Sequence, residues 1–160
     1  MPARDTAHTP GFDMVNAQAL ADELNRLLAI ESRSLLRHMD ESTPYTTAET
    51  FPILKQLKHM AHVSDGHAQR LSALLDRLEL PERPMPYPQS VGFYHFVKVD
   101  ALLGPVIAEQ HERVAAYVRA VEHARGDDAA VVELEDLLKA SRDALEALAR
   151  LQQLHASAAK

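Results

Sequence analysis

Residues 81–93 read PERPMPYPQSVGF, and they constrain the fold more than any other stretch of the chain. Four of the nine prolines fall here. Proline lacks a backbone N–H and fixes φ, so this stretch can neither extend a helix nor lie inside a sheet. On both sides Ala and Leu dominate at helical spacing, with five glycines in all and no Val/Ile/Thr alternation. That periodicity predicts an all-α chain of four long helices, over about 16–41, 46–80, 97–125 and 128–155. They form a single domain over 16–156, preceded by a flexible arm over 1–15 that Pro10 and Gly11 break.

Local signals mark the ends. Asn16 is the expected N-cap of the first helix. Thr46 and Glu49 have capping-box spacing ahead of the second, and Pro52 suits its opening turn. Gly104-Pro105 implies a kink or a late start in the third. In GDD, 126–128, Gly126 suits a C-terminal cap and Asp127 the N-cap of the fourth helix.

Connection lengths then constrain topology. The first–second and third–fourth links are short, which predicts antiparallel hairpins. The second–third link, over about 81–96, reaches roughly 55 Å when extended. A helix of about 26 residues is only ~39 Å long. The proline-rich segment can therefore cross the whole bundle, giving two hairpins joined by one long crossover. Tyr87, Phe93, Tyr94 and Phe96 are expected to pin that crossover to the helices.

Composition excludes several functions. A net charge of −6 with no basic face argues against nucleic acid as a partner. Absence of cysteine removes disulfides, zinc–thiolate sites, iron–sulfur clusters and cysteine nucleophiles. The N-terminal MPARDTAHTPGFD has no apolar core, so no secretory signal is expected, and no apolar run is long enough to span a membrane. The expected setting is cytoplasmic.

Helical phase separates inward from outward polar residues. On the first helix Glu31 and His38 fall within the stripe Leu20, Leu24, Leu27, Leu28, Leu35 and Met39. The second helix carries HMAHVSDGHAQRL, 59–71, which is dense in histidine. Its stripe is Leu57, Met60, Val63, Leu71, Leu74 and Leu78. Ser64 and His67 lie inside it, whereas His62 and Asp65 face solvent and His59 sits at the edge. On the third helix Gln110 is near the centre of Leu103, Val106, Val114, Tyr117 and Val121, with Glu109, His111 and Glu112 off it. On the fourth, Ser141 and Ala144 lie within Leu134, Leu137, Leu138, Leu145 and Leu148.

The segments LNRLLAIESRSLL, HMAHVSDGHAQRL and VIAEQHERVAAY resemble the first three helices of the ferritin-like superfamily, closer to its small divergent bacterial members than to iron-storage ferritins. The resemblance spans roughly residues 16–155. It implies a ferritin-like bundle with a dimetal site built from one Glu on each of two helices and a Glu-x-x-His on each of the others. Matched residue by residue, Glu31 takes the first-helix glutamate position and His67 the second-helix histidine. Ser64 replaces the second-helix glutamate. Gln110 replaces the third-helix glutamate, with Glu109 beside it. Ser141 and Ala144 replace the Glu and His of the fourth helix. Two metal ions need several anionic oxygens, so this set implies a degenerate site.

The functional expectation follows from that loss. The chain is expected to be a non-catalytic structural or interaction protein, or to hold one Fe, Mn or Zn ion weakly through Glu31, His67 and Glu109. The competing expectation is an active metal-dependent oxidase or iron-handling protein using the same residues. A histidine-based mononuclear site of the DinB type needs three inward histidines, and only His38 and His67 qualify. If Glu31 and His67 form a plain charge-assisted hydrogen bond, they should lie about 2.7–3.0 Å apart. A homodimer or a protein partner is the expected association, with no membrane partner, and the sequence does not identify a small-molecule substrate.

Overall fold

The computed structural model describes residues 14–41, 44–85 and 97–158. Among them the chain is helical with no strand: α1 (Met14–Arg33), α2 (Leu35–Glu41), α3 (Phe51–Arg77), α4 (Leu103–His123) and α5 (Asp128–Ala158). Because α1 and α2 are one rod broken at Ser34, these make the four expected helices. The arm before Met14 and the aromatic group Tyr87, Phe93, Tyr94 and Phe96 lie outside the described residues.

Several boundaries depart from expectation. Asn16 is not an N-cap, because α1 already includes Met14. The Thr46/Glu49 capping box is not formed. Instead Thr50 is the N-cap of α3, and Thr47 and Thr50 lock that turn. The Thr47 N–H donates to Thr50 Oγ1 at 2.9 Å, and their hydroxyls are 3.2 Å apart. Pro52 sits in the opening turn as its missing N–H allows. The second helix stops at Arg77 rather than Leu80, since Glu79 turns left-handed at φ 54°. The Leu80 N–H then reaches back to the Leu75 carbonyl at 3.0 Å, closing a Schellman-type end. Gly104-Pro105 resolves into a late start: a 3-10 turn over Val99–Leu102 hands over to α4 at Leu103. Asp127 caps α5, accepting the Ala130 N–H at 2.8 Å, and Gly126 takes φ 109° just before it.

Two apolar clusters fill the bundle, one at each end. The first joins Leu20, Leu24 and Leu27 of α1 with Leu71, Leu75, Ala116, Ala120, Leu134 and Leu137. The second joins Leu36 and Met39 of α2 with Ile53, Leu57, Val99, Leu102, Val106 and Leu148. Thus the N-terminal halves of α3 and α4 share a cluster, and so do their C-terminal halves. At the second end, the Tyr45 N–H donates to the Val97 carbonyl at 3.2 Å and the Val99 N–H returns to the Tyr45 carbonyl at 3.1 Å. Toward the first, Asn25 of α1 holds the chain just after α3, through the Pro81 carbonyl at 2.9 Å and the Arg83 N–H at 2.7 Å. Fully burying a Leu, Ile or Val side chain contributes about 1.5–3 kcal/mol, so the two clusters carry the fold. Between them lies a belt of buried polar groups.

Candidate functional site

Glu31 is the centre of that belt. It is 0% exposed, one turn beyond Leu27 on the buried face of α1. An ionised carboxylate in such a place requires partners. Its Oε1 has three: the Tyr117 hydroxyl donates at 2.9 Å, His67 Nδ1 stands at 3.3 Å, and Arg113 Nε at 3.4 Å. Because a carboxylate only accepts, the His67 proton of this bond sits on Nδ1. The His67 distance is longer than the 2.7–3.0 Å expected of a lone pair bond, since Oε1 is shared among several donors. Burial pushes the Glu31 carboxyl up, but the His67 bond, the Arg113 charge and the facing Ser64 hydroxyl together hold it below its ordinary value. Tyr117 is pushed the other way, by its own burial and by the Glu31 charge beside it.

Arg113 is the group that phase analysis passed over. It is 3% exposed, and its side chain links the carboxylate to the other half of the bundle. Arg113 Nη1 donates to Gln110 Oε1, and Gln110 Nε2 donates to the Ser141 carbonyl of α5 at 2.8 Å. Neither Arg113 Nε nor Nη2 makes a hydrogen bond, and the same holds for Ser141 Oγ and Glu31 Oε2. The sequence signal was available. Leu103, Val106, Gln110, Arg113, Tyr117 and Ala120 alternate at three and four residues, and all six are buried. Arg113 is the charged member of that series, whereas Val114, expected on the stripe, is only partly buried.

The register question on α4 has a definite answer. Gln110 points inward at 1% exposure, while Glu109 turns toward the break in the first rod. Both Glu109 carboxylate oxygens accept the Leu35 N–H, at 3.0 and 3.2 Å. In an unbroken helix that N–H would turn to the Glu31 carbonyl, so Glu109 replaces a ladder bond where Ser34 interrupts the rod. Burial pushes the Glu109 carboxyl up, and the Leu35 bond only partly offsets it.

The other singled-out residues separate as phase predicts, with one exception. His59, His62 and His111 are exposed, and Asp65 pairs with Arg37 at 2.5 Å on the surface. His38 is buried on α2, Ser64 and Ser141 are buried, and Ala144 is partly buried. Val63, placed in the apolar stripe of α3, is instead 37% exposed. The reason is that α3 and α5 diverge there, leaving a cleft of about 330 Å³. Ser64, His67, Gln110, Arg113 and Ser141 line one part of it, and Met60, Val63, Ala144 and Ala147 another.

The donor set can be tested against a metal. Glu31 and His67 meet, but Glu109 is committed elsewhere, and a guanidinium occupies the ground beside Glu31. Among the described residues no group of three or more His, Asp or Glu side chains is arranged to hold a metal ion. A dimetal centre does not fit, because a fixed cation repels further cations and the remaining positions are Ser64, Gln110, Ser141 and Ala144. No helix among the described residues is long and apolar enough to cross a membrane. No family model, curated protein or solved structure matches the chain.

Proposed function

We propose that this chain is a divergent ferritin-like bundle in which an internal cation, the Arg113 guanidinium, takes the charge-balancing place of the metals, leaving a non-catalytic structural or interaction protein. The observation that carries the proposal is Arg113 Nε at 3.4 Å from the fully buried Glu31. Shared apolar clusters for the leading halves of α3 and α4, together with the anchors at Asn25–Pro81 and Tyr45–Val97, support two antiparallel hairpins joined by a long proline-rich crossover. In that arrangement Glu31 and His67 keep ligand-like positions, but Glu31 Oε1 is shared among His67, Tyr117 and Arg113. The competing oxidase or iron-handling reading needs a third-helix carboxylate at the same centre, and Glu109 is turned to Leu35.

The test is metal content of tag-free protein from cells grown with added iron, manganese and zinc, measured by mass spectrometry. The expected result is far less than one ion per chain, unchanged in Glu31→Gln and His67→Gln. Stoichiometric metal that disappears in both variants would overturn the proposal.

A further inference from the structure

The cleft between α3 and α5 has a polar end where Arg113 and Ser141 keep unused atoms able to donate. Arg113 Nη2 is donor-only, buried and without a hydrogen bond. Ser141 Oγ, also buried and unbonded, lines the same cleft, as does Ser64. Glu31 does not reach the lining, and the carboxylate that does, Asp143, is exposed and paired with Lys139 at 3.2 Å. The cleft then runs along α5 from Ser141 to Ala147. Six residues of helix span roughly 9 Å, and this far part is walled by Met60, Val63, Ala144 and Ala147. Its volume, about 330 Å³, is at the lower end of the range in which small-molecule sites fall.

We propose that this cleft binds a small carboxylate with a short aliphatic chain, the carboxylate on Arg113 Nη2 and the Ser141 hydroxyl and the chain against Ala144 and Ala147. Arg113 Nη2 can only donate and the Ser141 hydroxyl can donate beside it, so this end suits an acceptor-only head group. A guanidinium–carboxylate bond is charge-assisted and stronger than a neutral one. The tail replaces water on alanine and methionine surface, which a bare anion such as phosphate cannot do. A ligand of this kind also supplies partners to two buried atoms, Arg113 Nη2 and Ser141 Oγ, that otherwise make no hydrogen bond. The proposal goes beyond the metal-free reading and tests different atoms, so either can fail alone.

The experiment is calorimetric titration of the full chain with hexanoate, hexan-1-ol and inorganic phosphate. Hexanoate is expected to bind saturably, one per chain, with hexanol at least roughly tenfold weaker and phosphate not binding. Ser141→Ala removes a hydroxyl that holds nothing in the fold, and it is expected to weaken hexanoate roughly fivefold. Ala147→Leu fills the apolar end and is expected to abolish binding. Equal affinity for hexanol or for phosphate overturns the proposal. So does hexanoate binding that is absent, non-saturable, or unchanged in both variants.

Discussion

Removing the cation beside Glu31 is the sharpest perturbation this fold offers. Arg113→Met keeps much of the stem volume but leaves a carboxylate at 0% exposure with Tyr117, His67 and the facing Ser64 hydroxyl and no fixed cation. Breaking a buried pair in this way costs about 3–5 kcal/mol. With a urea m-value of about 2 kcal/mol per molar, the midpoint should fall by about 2 M. The double variant Glu31→Met/Arg113→Met removes both charges, and it should recover to within about 1–2 kcal/mol of the parent or exceed it. The pH dependence should also weaken. In the parent, Glu31 is held below its ordinary value, so its contribution is present above the unfolded-state pKa and is lost as pH falls through the folded value. Without the Arg113 charge, the balance moves toward burial and the carboxyl should rise. Arg113→Met should then lose less stability than the parent as pH falls through the carboxylate range. Urea unfolding followed by circular dichroism at several pH values measures all three variants. A loss under about 1 kcal/mol for Arg113→Met, or an equal loss in the Glu31→Met background, would refute the counter-ion argument.

Glu109→Gln should flatten a slope of opposite sign. The Glu109 carboxyl is raised by burial, so its favourable contribution is present below the unfolded-state pKa and fades as pH rises through the folded one. Glu109→Ala should in addition cost about 1 kcal/mol by leaving the Leu35 N–H without its acceptor, and hydrogen exchange should quicken first in α2. Asp127→Ala should also cost about 1 kcal/mol, through loss of the α5 N-cap, and lower Tm by about 2–4 °C in calorimetry.

The helices were legible because apolar spacing acts locally. Leu20, Leu24, Leu27, Met39, Leu57, Leu71, Leu134 and Leu148 are buried as phase places them. Asp127 works as a cap for the same reason, since its partner is three residues away. What escaped is tertiary. Ser34 breaks the first rod where a carboxylate 74 residues further along takes over the Leu35 N–H, and no local pattern announces that exchange. Val63 lies on the apolar stripe yet is exposed, because exposure there depends on how far α5 stands from α3. Arg113 escaped for a different reason. Its spacing was correct, but a charged residue on an inward stripe is discarded by default unless its counter-charge, Glu31 on another helix, is considered with it.

A belt that costs stability can persist because it fixes how the helices align. Leu- and Ala-rich helices have many apolar registers of similar energy, so two clusters of leucines alone specify alignment poorly. A carboxylate that must meet Tyr117, His67 and Arg113 at once fixes α1, α3 and α4 along their axes, and Gln110 on the Ser141 carbonyl extends that alignment to α5. Sliding α1 by one turn either way would carry Glu31 toward one of the two apolar clusters. The expectation is therefore that Glu31→Met/Arg113→Met, although nearly as stable as the parent, loses uniqueness: broader amide resonances and faster hydrogen exchange at the level of Ser64 and Ser141. A double variant as well dispersed and as well protected as the parent would show that the apolar clusters set the register without the belt.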